Sequence, residues 1–462
     1  MTTCLTGLSL SPALLQVASE LGFAKWTAIQ AQAIPVLLSG RDLIGQSKTG
    51  SGKTAAFALA ILERLRLDQR RTLQALVLCP TRELCAQVAR EMRKLGRRQP
   101  GVQVLTLAGG EPLRAQASAL ERGVPIVVGT PGRVLDHLRR GRLQLEQLTT
   151  LVLDEADRML EMGFQEDMEK ILEATPAERQ TVFFSATFPI SIERMSARYQ
   201  RQPVRVTVAD EPAERANIRQ AYVLCDQPKK LAALQSLLQR HPHDAALVFA
   251  NQKVSVAEIA AALSEGGTSA AGIHGDLEQS ERDLVLAKFR NGSTRALVAS
   301  DVAARGIDIQ SLDLVVNFDL PTRQDSYVHR IGRTGRAGRA GVAVSLVNAR
   351  ELPTLLAYAQ ALDVTLERLE LTETPAEPSP RTAAAMQTLR VSGGRKQKVR
   401  PGDILGALTG EAAGLRGEQI GKIEIHDDFS YVAVEKRVAR AAQRGLSEGR
   451  IKGKRFRVAL VE

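Results

Sequence analysis

LTTLVLDEADRML, residues 148–160, runs from an apolar stretch directly into three acids within four positions, Asp154, Glu155 and Asp157. A continuous apolar run of this length suits a strand buried on both faces of a parallel sheet. In parallel α/β sheets, ligands bind at the carboxyl ends of the strands. The acids therefore stand at a ligand-binding edge. Seven further runs share this form: LQALVLCP (73–80), VPIVVGTP (124–131), QTVFFSAT (180–187), DAALVFAN (244–251), TRALVASD (294–301), LDLVVNFD (312–319) and GVAVSLVN (341–348). Each ends in small, polar or charged residues, and helix-like stretches such as SVAEIAAALSEGG separate them, which predicts βαβ units.

The loop SKTGSGKT (47–54) lies between RDLIGQ and the helix-like AAFALAILERL. Its spacing is close to GxxxxGK[ST], with Ser47 in place of the first glycine. Small residues let backbone N–H groups curl around phosphates at a helix N-terminus. Ser47, Thr49, Gly50, Ser51 and Gly52 would line that cradle for ATP. Lys53 would reach the β- and γ-phosphates, and Thr54 would offer its hydroxyl to Mg²⁺. Asp154 would hold the same Mg²⁺, through water, and Glu155 would orient or deprotonate the attacking water. Acids at a helix start are also favoured by the helix dipole. That alternative accounts for one or two of them, not for their pairing with a GKT loop.

A chain of 462 residues is expected to hold two or three domains. No apolar run reaches about 18 residues, so no membrane span is expected. The N-terminal MTTCLTGLSLSPALL is a poor secretory signal. Cysteines at 4, 79, 85 and 225 form no CxxC pair, which predicts reduced thiols and a cytoplasmic setting. Net charge is +11, and residues 391–462 carry +6 of it, from 15 Lys/Arg against 9 Asp/Glu. The excess suggests a polyanionic partner, with the tail contributing most, although a basic protein can also be simply soluble and basic.

Asp154–Glu155–Ala156–Asp157 reads DEAD, and the chain resembles the DEAD-box RNA helicase family through nearly all of residues 1–370, with the motifs in family order. GFAKWTAIQ (22–30) resembles the adenine-reading element: Phe23 would stack on the base and Gln30 would pair with adenine N6 and N7. PTREL (80–84), Gly109–Gly110 and TPGR (130–133) resemble the RNA-gripping loops, implying RNA contacts from Pro80, Thr81, Arg82, Gly109, Gly110, Thr130, Gly132 and Arg133. SAT (185–187) resembles the element linking ATP state to strand separation, with Ser185, Thr187, Asp157 and His329 in coupling roles. In the second half, LVFAN, QSER, ASDVAARGIDI (299–309) and HRIGRTGRAGR (329–339) continue the match. They imply RNA contacts from Asn251, Gln279, Arg282 and Ser300, and nucleotide contacts from Gly306 and Asp308. Arg333 and Arg336 fall at the arginine-finger positions, in a different half from Lys53, so the resemblance implies an ATPase site completed only when the halves close. The chain departs from the common pattern at Leu5, Trp26, Cys85 and Ser300, none of which removes a catalytic group.

The implied fold is α/β, with two RecA-like parallel-sheet domains, 1–208 and 217–370, a linker at 371–390 and an RNA-recognition-motif-like α+β domain at 391–462. VTVADEPAERANIRQ (206–220) reads as the first linker and 371–398 as a flexible or only partly helical stretch. In the tail, ILGAL (404–408) stands at the place of the first RNA-recognition signature and DDFSYVAV (427–434) at the second. Alternation places Phe429 and Tyr431 on one strand face, where they could stack on bases, and Val432 and Val434 on the other. The competing reading is ordinary sheet residues. Basic Lys398, Arg400, Lys452 and Lys454 are the expected phosphate contacts. LGALTGE, GEQIGKIEI and IKGK further resemble the bacterial DbpA subfamily. That resemblance implies a 23S ribosomal RNA hairpin and the large-subunit precursor as partners, with local duplex separation as the activity. A clamp that holds RNA in its ATP state and unwinds little is the rival expectation, and a DNA helicase a weaker third. No heptad or repeat suggests assembly, so a monomer is expected.

Overall fold

The computed structural model describes residues 7–47, 50–69, 71–110, 112–208, 218–241, 243, 245–304, 312–335, 340–370, 383–410 and 413–461. The chain divides into two compact units, one built on a first seven-stranded sheet, the other holding a second seven-stranded sheet and the tail.

The first sheet comprises β1 (Leu43–Gln46), β2 (Ala75–Leu78), β3 (Val104–Leu107), β4 (Ile126–Gly129), β5 (Thr150–Leu153), β6 (Gln180–Ser185) and β7 (Val204–Thr207). Their order is β3-β4-β2-β5-β6-β1-β7, and every pairing is parallel. The continuous apolar runs are explained by two-sided burial. Leu76, Leu78, Leu151, Leu153 and Phe183 join one core layer. Val77, Val152, Val182 and Phe184 join the other, with Phe57 and Leu59 of the helix Lys53–Arg64. Each such side chain contributes roughly 1.5–3 kcal/mol on full burial, so the strands tolerate no polar face.

The second sheet comprises β8 (Ile218–Leu224), β9 (Ala246–Phe249), β10 (Ala270–Ile273), β11 (Ala296–Ala299), β12 (Leu314–Asn317), β13 (Gly341–Val347) and β14 (Glu367–Arg368). Its order, β10-β11-β9-β12-β13-β8-β14, repeats the first with every strand number raised by seven, and it too is parallel throughout. All eight runs read as strands from the sequence form strands. The stretch read as the first linker is shorter than expected at both ends: β7 includes Val206 and Thr207, and β8 begins at Ile218.

The tail holds β15 (Met386–Val391), β16 (Ile420–Ile425), β17 (Ser430–Glu435) and β18 (Val458–Leu460), ordered β16-β17-β15-β18 and antiparallel, with helices Pro401–Thr409 and Ala439–Glu448. Two expectations are corrected here. The strand β15 begins inside the stretch read as linker, because Leu389 and Val391 alternate with Thr388 and Arg390 and bury one face in the tail core. ILGAL, expected at the place of the first RNA-recognition signature, lies in the helix Pro401–Thr409 and not on the sheet. Pro401 opens that helix, and the Arg400 N–H donates to the Asp403 carboxylate at 2.9 Å. Ile404 and Leu408, one turn apart, are its buried positions. Val432 and Val434 face this core. No helix among the described residues is long and apolar enough to cross a membrane.

Candidate nucleotide and RNA sites

In the first unit the motifs sit at the carboxyl edge of the sheet, and the strand order sorts them. The phosphate loop follows β1, the DEAD acids follow β5 and SAT closes β6; these three strands are neighbours. PTR follows β2, the Gly109–Gly110 pair follows β3 and TPGR follows β4, the other three neighbours. One half of the edge thus carries the loops expected to hold nucleotide and the other the loops expected to grip RNA.

Gly52 precedes the helix Lys53–Arg64 at φ +96°. That left-handed conformation, and the Gln30 amide packed where a Cβ would stand, leave glycine as the residue that fits. Gln30 accepts from the Thr27 N–H at 3.0 Å and donates to the Gly52 carbonyl at 3.2 Å. One amide hydrogen and one lone pair remain, the pair an adenine edge requires. Phe23 is half-buried beside Trp26, ring centroids 6.1 Å apart. Ser47 and Ser51 share a hydroxyl contact at 2.8 Å, Gly50 is left-handed, and Lys53 Nζ donates to the Ser47 carbonyl at 2.6 Å. Thr54 follows on the same helix. Thr49 lies outside the described residues.

Asp154 is buried, and its Oδ1 has no hydrogen-bond partner among the described residues. Burial, reinforced by Glu155 and opposed by Lys53, pushes its carboxyl up to about 7. Burial likewise lowers the Lys53 ammonium, against the pull of the three acids. Glu155 adopts φ +53°, rare for a non-glycine residue and a mark of local strain at a functional position. Its Oε2 stands 3.5 Å from Arg158 Nη1. An orphaned carboxylate oxygen at the tip of β5, with the Thr54 hydroxyl on the helix that opens at the phosphate loop, makes a hard-oxygen donor set. It fits Mg²⁺ held jointly with nucleotide phosphates rather than by an all-protein cage. No group of three or more His, Cys, Asp or Glu forms such a cage among the described residues.

The last DEAD acid fastens SAT. Asp157 Oδ2 accepts from Thr187 N at 2.9 Å and from Thr187 Oγ1 at 2.8 Å. The Asp157 N–H donates to Ser185 Oγ at 3.3 Å. The last DEAD acid is thus bonded to both Ser185 and Thr187.

The expected RNA loops are joined by Gln116, which the sequence reading missed. It is buried; its Nε2 donates to the Ala108 carbonyl at 3.0 Å, and its Oε1 accepts from Arg133 Nη1 at 3.2 Å and lies 3.0 Å from His137 Nε2. Gly109 makes room for the Arg82 guanidinium, whose atoms would stand 2.7–3.0 Å from a Cβ there. Thr81 caps the helix after Pro80 by accepting from Leu84 N at 3.2 Å, and Gly110 is left-handed. Thr130 and Gly132 open the helix that carries Arg133.

In the second unit Asn251 follows β9 and Ser300 follows β11, neighbouring strands. Arg282 Nη2 donates to the Ala303 carbonyl at 2.8 Å, and Gln279 Nε2 to Asp283 at 2.9 Å. His329 lies on the helix Gln324–Ile331, and buried Arg333 follows it. Gly306, Asp308 and Arg336 lie outside the described residues.

The tail corrects one site expectation. Thr388, Arg390, Tyr431 and Glu424 share a sheet face, as their pairing registers require. That face rests on the second-sheet domain. Arg290 forks onto Glu424 at 3.0 and 2.8 Å, Asn291 Nδ2 donates to Thr388 Oγ1 at 2.9 Å, and Thr388 donates to Ser293 Oγ at 2.8 Å. Burial would raise the Glu424 carboxyl, but Arg290 and Lys422 outweigh it and hold it low. Tyr431 is only 4% exposed and offers no free ring for a base. Phe429 is half-buried, stacked on His426 at 4.6 Å, with the Arg390 guanidinium 4.8 Å from its ring centroid. Alternation gave the shared face correctly; what covers that face was not in the alternation. Of the basic residues, Lys398 and Lys452 meet at one corner, both left-handed, with Lys452 Nζ donating to the Lys398 carbonyl at 3.1 Å. Arg400 lies two residues on, and Lys454 ends the turn that begins at Ile451.

Comparison with known proteins agrees with this layout. Residues 27–195 match the DEAD/DEAH box helicase model, 229–338 the helicase conserved C-terminal domain and 388–460 the DbpA RNA binding domain. The ATP-dependent RNA helicase DbpA of Escherichia coli is 46% identical over 98% of both chains. A DEAD-box ATP-dependent RNA helicase CshA of Geobacillus kaustophilus is 45% identical over 79% of this chain and 77% of its own. A structure of S. cerevisiae Dbp5 bound to RNA and ADP BeF3 superposes with a TM-score of 0.70 at 32% identity, covering 79% of this chain and 95% of that one. Phosphate loop, DEAD–SAT linkage and docked RNA-binding tail in one chain, with a full-length relative of the same make-up, place this protein among the DEAD-box ATP-dependent RNA helicases that carry a DbpA RNA-binding domain.

Proposed function

We propose that this helicase separates short RNA duplexes locally and is directed by its tail to a 23S ribosomal RNA hairpin during assembly of the large ribosomal subunit, in the cytoplasm and as a monomer. The observation that supports the motor half most directly is Asp157 holding Thr187, which ties the nucleotide acids to the strand-separating element. In this reading Lys53 neutralises the β- and γ-phosphates. Thr54 and Asp154 hold Mg²⁺, which supplies charge neutralisation at the phosphates. Glu155 orients the attacking water and accepts its proton; Arg333 and Arg336 stabilise charge on the transferring γ-phosphoryl. Gln30 and Phe23 select adenine. Pro80, Thr81, Arg82, Gly109, Gly110, Thr130, Gly132 and Arg133 hold the backbone of one strand, joined by Asn251, Gln279, Arg282 and Ser300.

The division we propose is 1–208, 217–370 and a tail beginning near 386. Lys398, Arg400, Lys452 and Lys454 carry the tail's phosphate contacts, since Tyr431 is covered. A tethered address raises the local concentration of the motor at its target duplex without the motor reading sequence. The test is the steady-state ATPase rate with fragments of 23S ribosomal RNA against poly(U) at equal nucleotide concentration. Selective stimulation by one ribosomal fragment is expected. Equal stimulation by every RNA would reject the address and keep the motor. Stimulation without unwinding of a duplex joined to that fragment would favour the clamp.

A further inference from the structure

The second large sheet repeats the strand order of the first, and it reuses the position of the catalytic lysine for another purpose. Lys53 opens the helix after β1; Lys230 opens the helix Lys230–Arg240 after β8, the counterpart of β1. Asp154 directly follows β5; Asp319 lies two residues beyond β12, the counterpart of β5. In the first unit Asp154 Oδ1 has no hydrogen-bond partner among the described residues. In the second unit the lysine is paired with protein carboxylates. Lys230 is 0% exposed, with Nζ 3.3 Å from Glu351 Oε2 and 3.9 Å from Asp319 Oδ1.

Asp319 passes this anchoring onward. Its Oδ2 accepts from the Asn251 N–H at 3.0 Å. Asn251 Nδ2 donates to the Leu320 carbonyl at 3.0 Å, and Asn251 Oδ1 accepts from Arg330 Nη2 at 2.7 Å. Arg330 in turn forks onto Asp301 at 2.7 Å twice and donates to the Asp319 carbonyl at 2.6 Å. One buried cation therefore stands behind a network that sets the backbone of Asn251 and reaches Asp301, the neighbour of Ser300.

We propose that Lys230 is a positioning residue for RNA binding: by holding Asp319 it fixes the loop of Asn251 in the orientation that grips the strand. The proposal rests on the reading of Asn251 as an RNA contact. A half-buried carboxylate that loses its cation is free to rotate toward water, and that rotation releases the Asn251 N–H. The nucleotide site around Lys53 contains none of these residues, so its affinity is the internal control.

The test compares the wild-type full chain with three variants, Lys230→Met, Asp319→Asn and Asn251→Ala, in RNA-stimulated ATPase assays, with hydrogen exchange at the Asn251 amide. Lys230→Met and Asp319→Asn are expected to raise the KM for RNA about tenfold with the KM for ATP unchanged, the loss of one partly buried ion pair. The Asn251 amide should exchange about tenfold faster in Lys230→Met while amides in β9 and β12 keep their protection. Asp319→Asn leaves the Lys230–Glu351 pair intact and is read alone if Lys230→Met does not fold. If Asn251→Ala raises the RNA KM while folded Lys230→Met and Asp319→Asn do not, the proposal is wrong. If Asn251→Ala has no effect, the RNA reading of Asn251 fails. Amide exchange then decides alone, and unchanged exchange overturns the role of Lys230.

Discussion

The carboxyl of Asp154 is held in a state that suits a bound cation and burdens the ligand-free protein. Its ordinary value is 3.8, and burial with Glu155 alongside raises it to about 7. Folding therefore holds a proton that the unfolded chain releases at lower pH. The term is fully present below the unfolded value and is lost as pH rises through the folded one. Asp154→Asn copies the protonated carboxyl and removes the titration. In the absence of nucleotide and Mg²⁺ the variant should be more stable than wild type by about 4 kcal/mol at pH 8 and by about 2 kcal/mol at pH 5. The assay is urea unfolding of the nucleotide-free chain at both pH values, following the transition of the first unit. A gap that is absent at pH 8, or that does not shrink toward pH 5, would refute the argument that burial strains this carboxylate. The same variant should lose ATP turnover, so the site trades stability for function.

Other substitutions separate the parts of the machine. Glu155→Gln should keep ATP binding, read by a fluorescent analogue, and lose turnover by at least 10³-fold; normal turnover would remove Glu155 from the proposed chemistry. Gln116→Leu leaves the Ala108 carbonyl and the Arg133 guanidinium without their shared partner. It should cost roughly 1–3 kcal/mol of stability in chemical denaturation and raise the KM for RNA more than that for ATP. Lys398→Glu with Lys452→Glu should abolish any preference for a ribosomal fragment while leaving poly(U)-stimulated ATPase intact, measured side by side; an unchanged preference would move the address elsewhere.

What the sequence determines on its own is everything fixed by short range. The two-sided apolar runs specify parallel strands because only a residue enclosed in both layers gains from being apolar on both faces, as Leu151, Val152 and Leu153 are. The phosphate loop is legible because its glycines answer a local conformational demand, at Gly52 above all. The DEAD acids are legible because three carboxylates at a strand tip have few bland explanations. The tail shows the limit. Proline and alanine around β15 mask its alternation, and the resemblance that places ILGAL at a recognition signature overlooks the helical i, i+4 spacing of Ile404 and Leu408.

What only the tertiary structure decided is which polar residues meet. Gln116 lies 17 residues before Arg133, and Lys230 lies 121 before Glu351; no local pattern marks either pair. Tyr431 alternates as an outward-facing aromatic should, yet whether an outward face meets RNA or another domain depends on what docks there. The ion pair of Arg290 with Glu424 and the bonds of Asn291 and Ser293 to Thr388 settle that question across 134, 97 and 95 residues of chain. Periodicity records which side of a strand is apolar, because burial acts on every residue in turn. It carries no record of a partner brought from a distant part of the chain, because that meeting is fixed only when the sheets have formed.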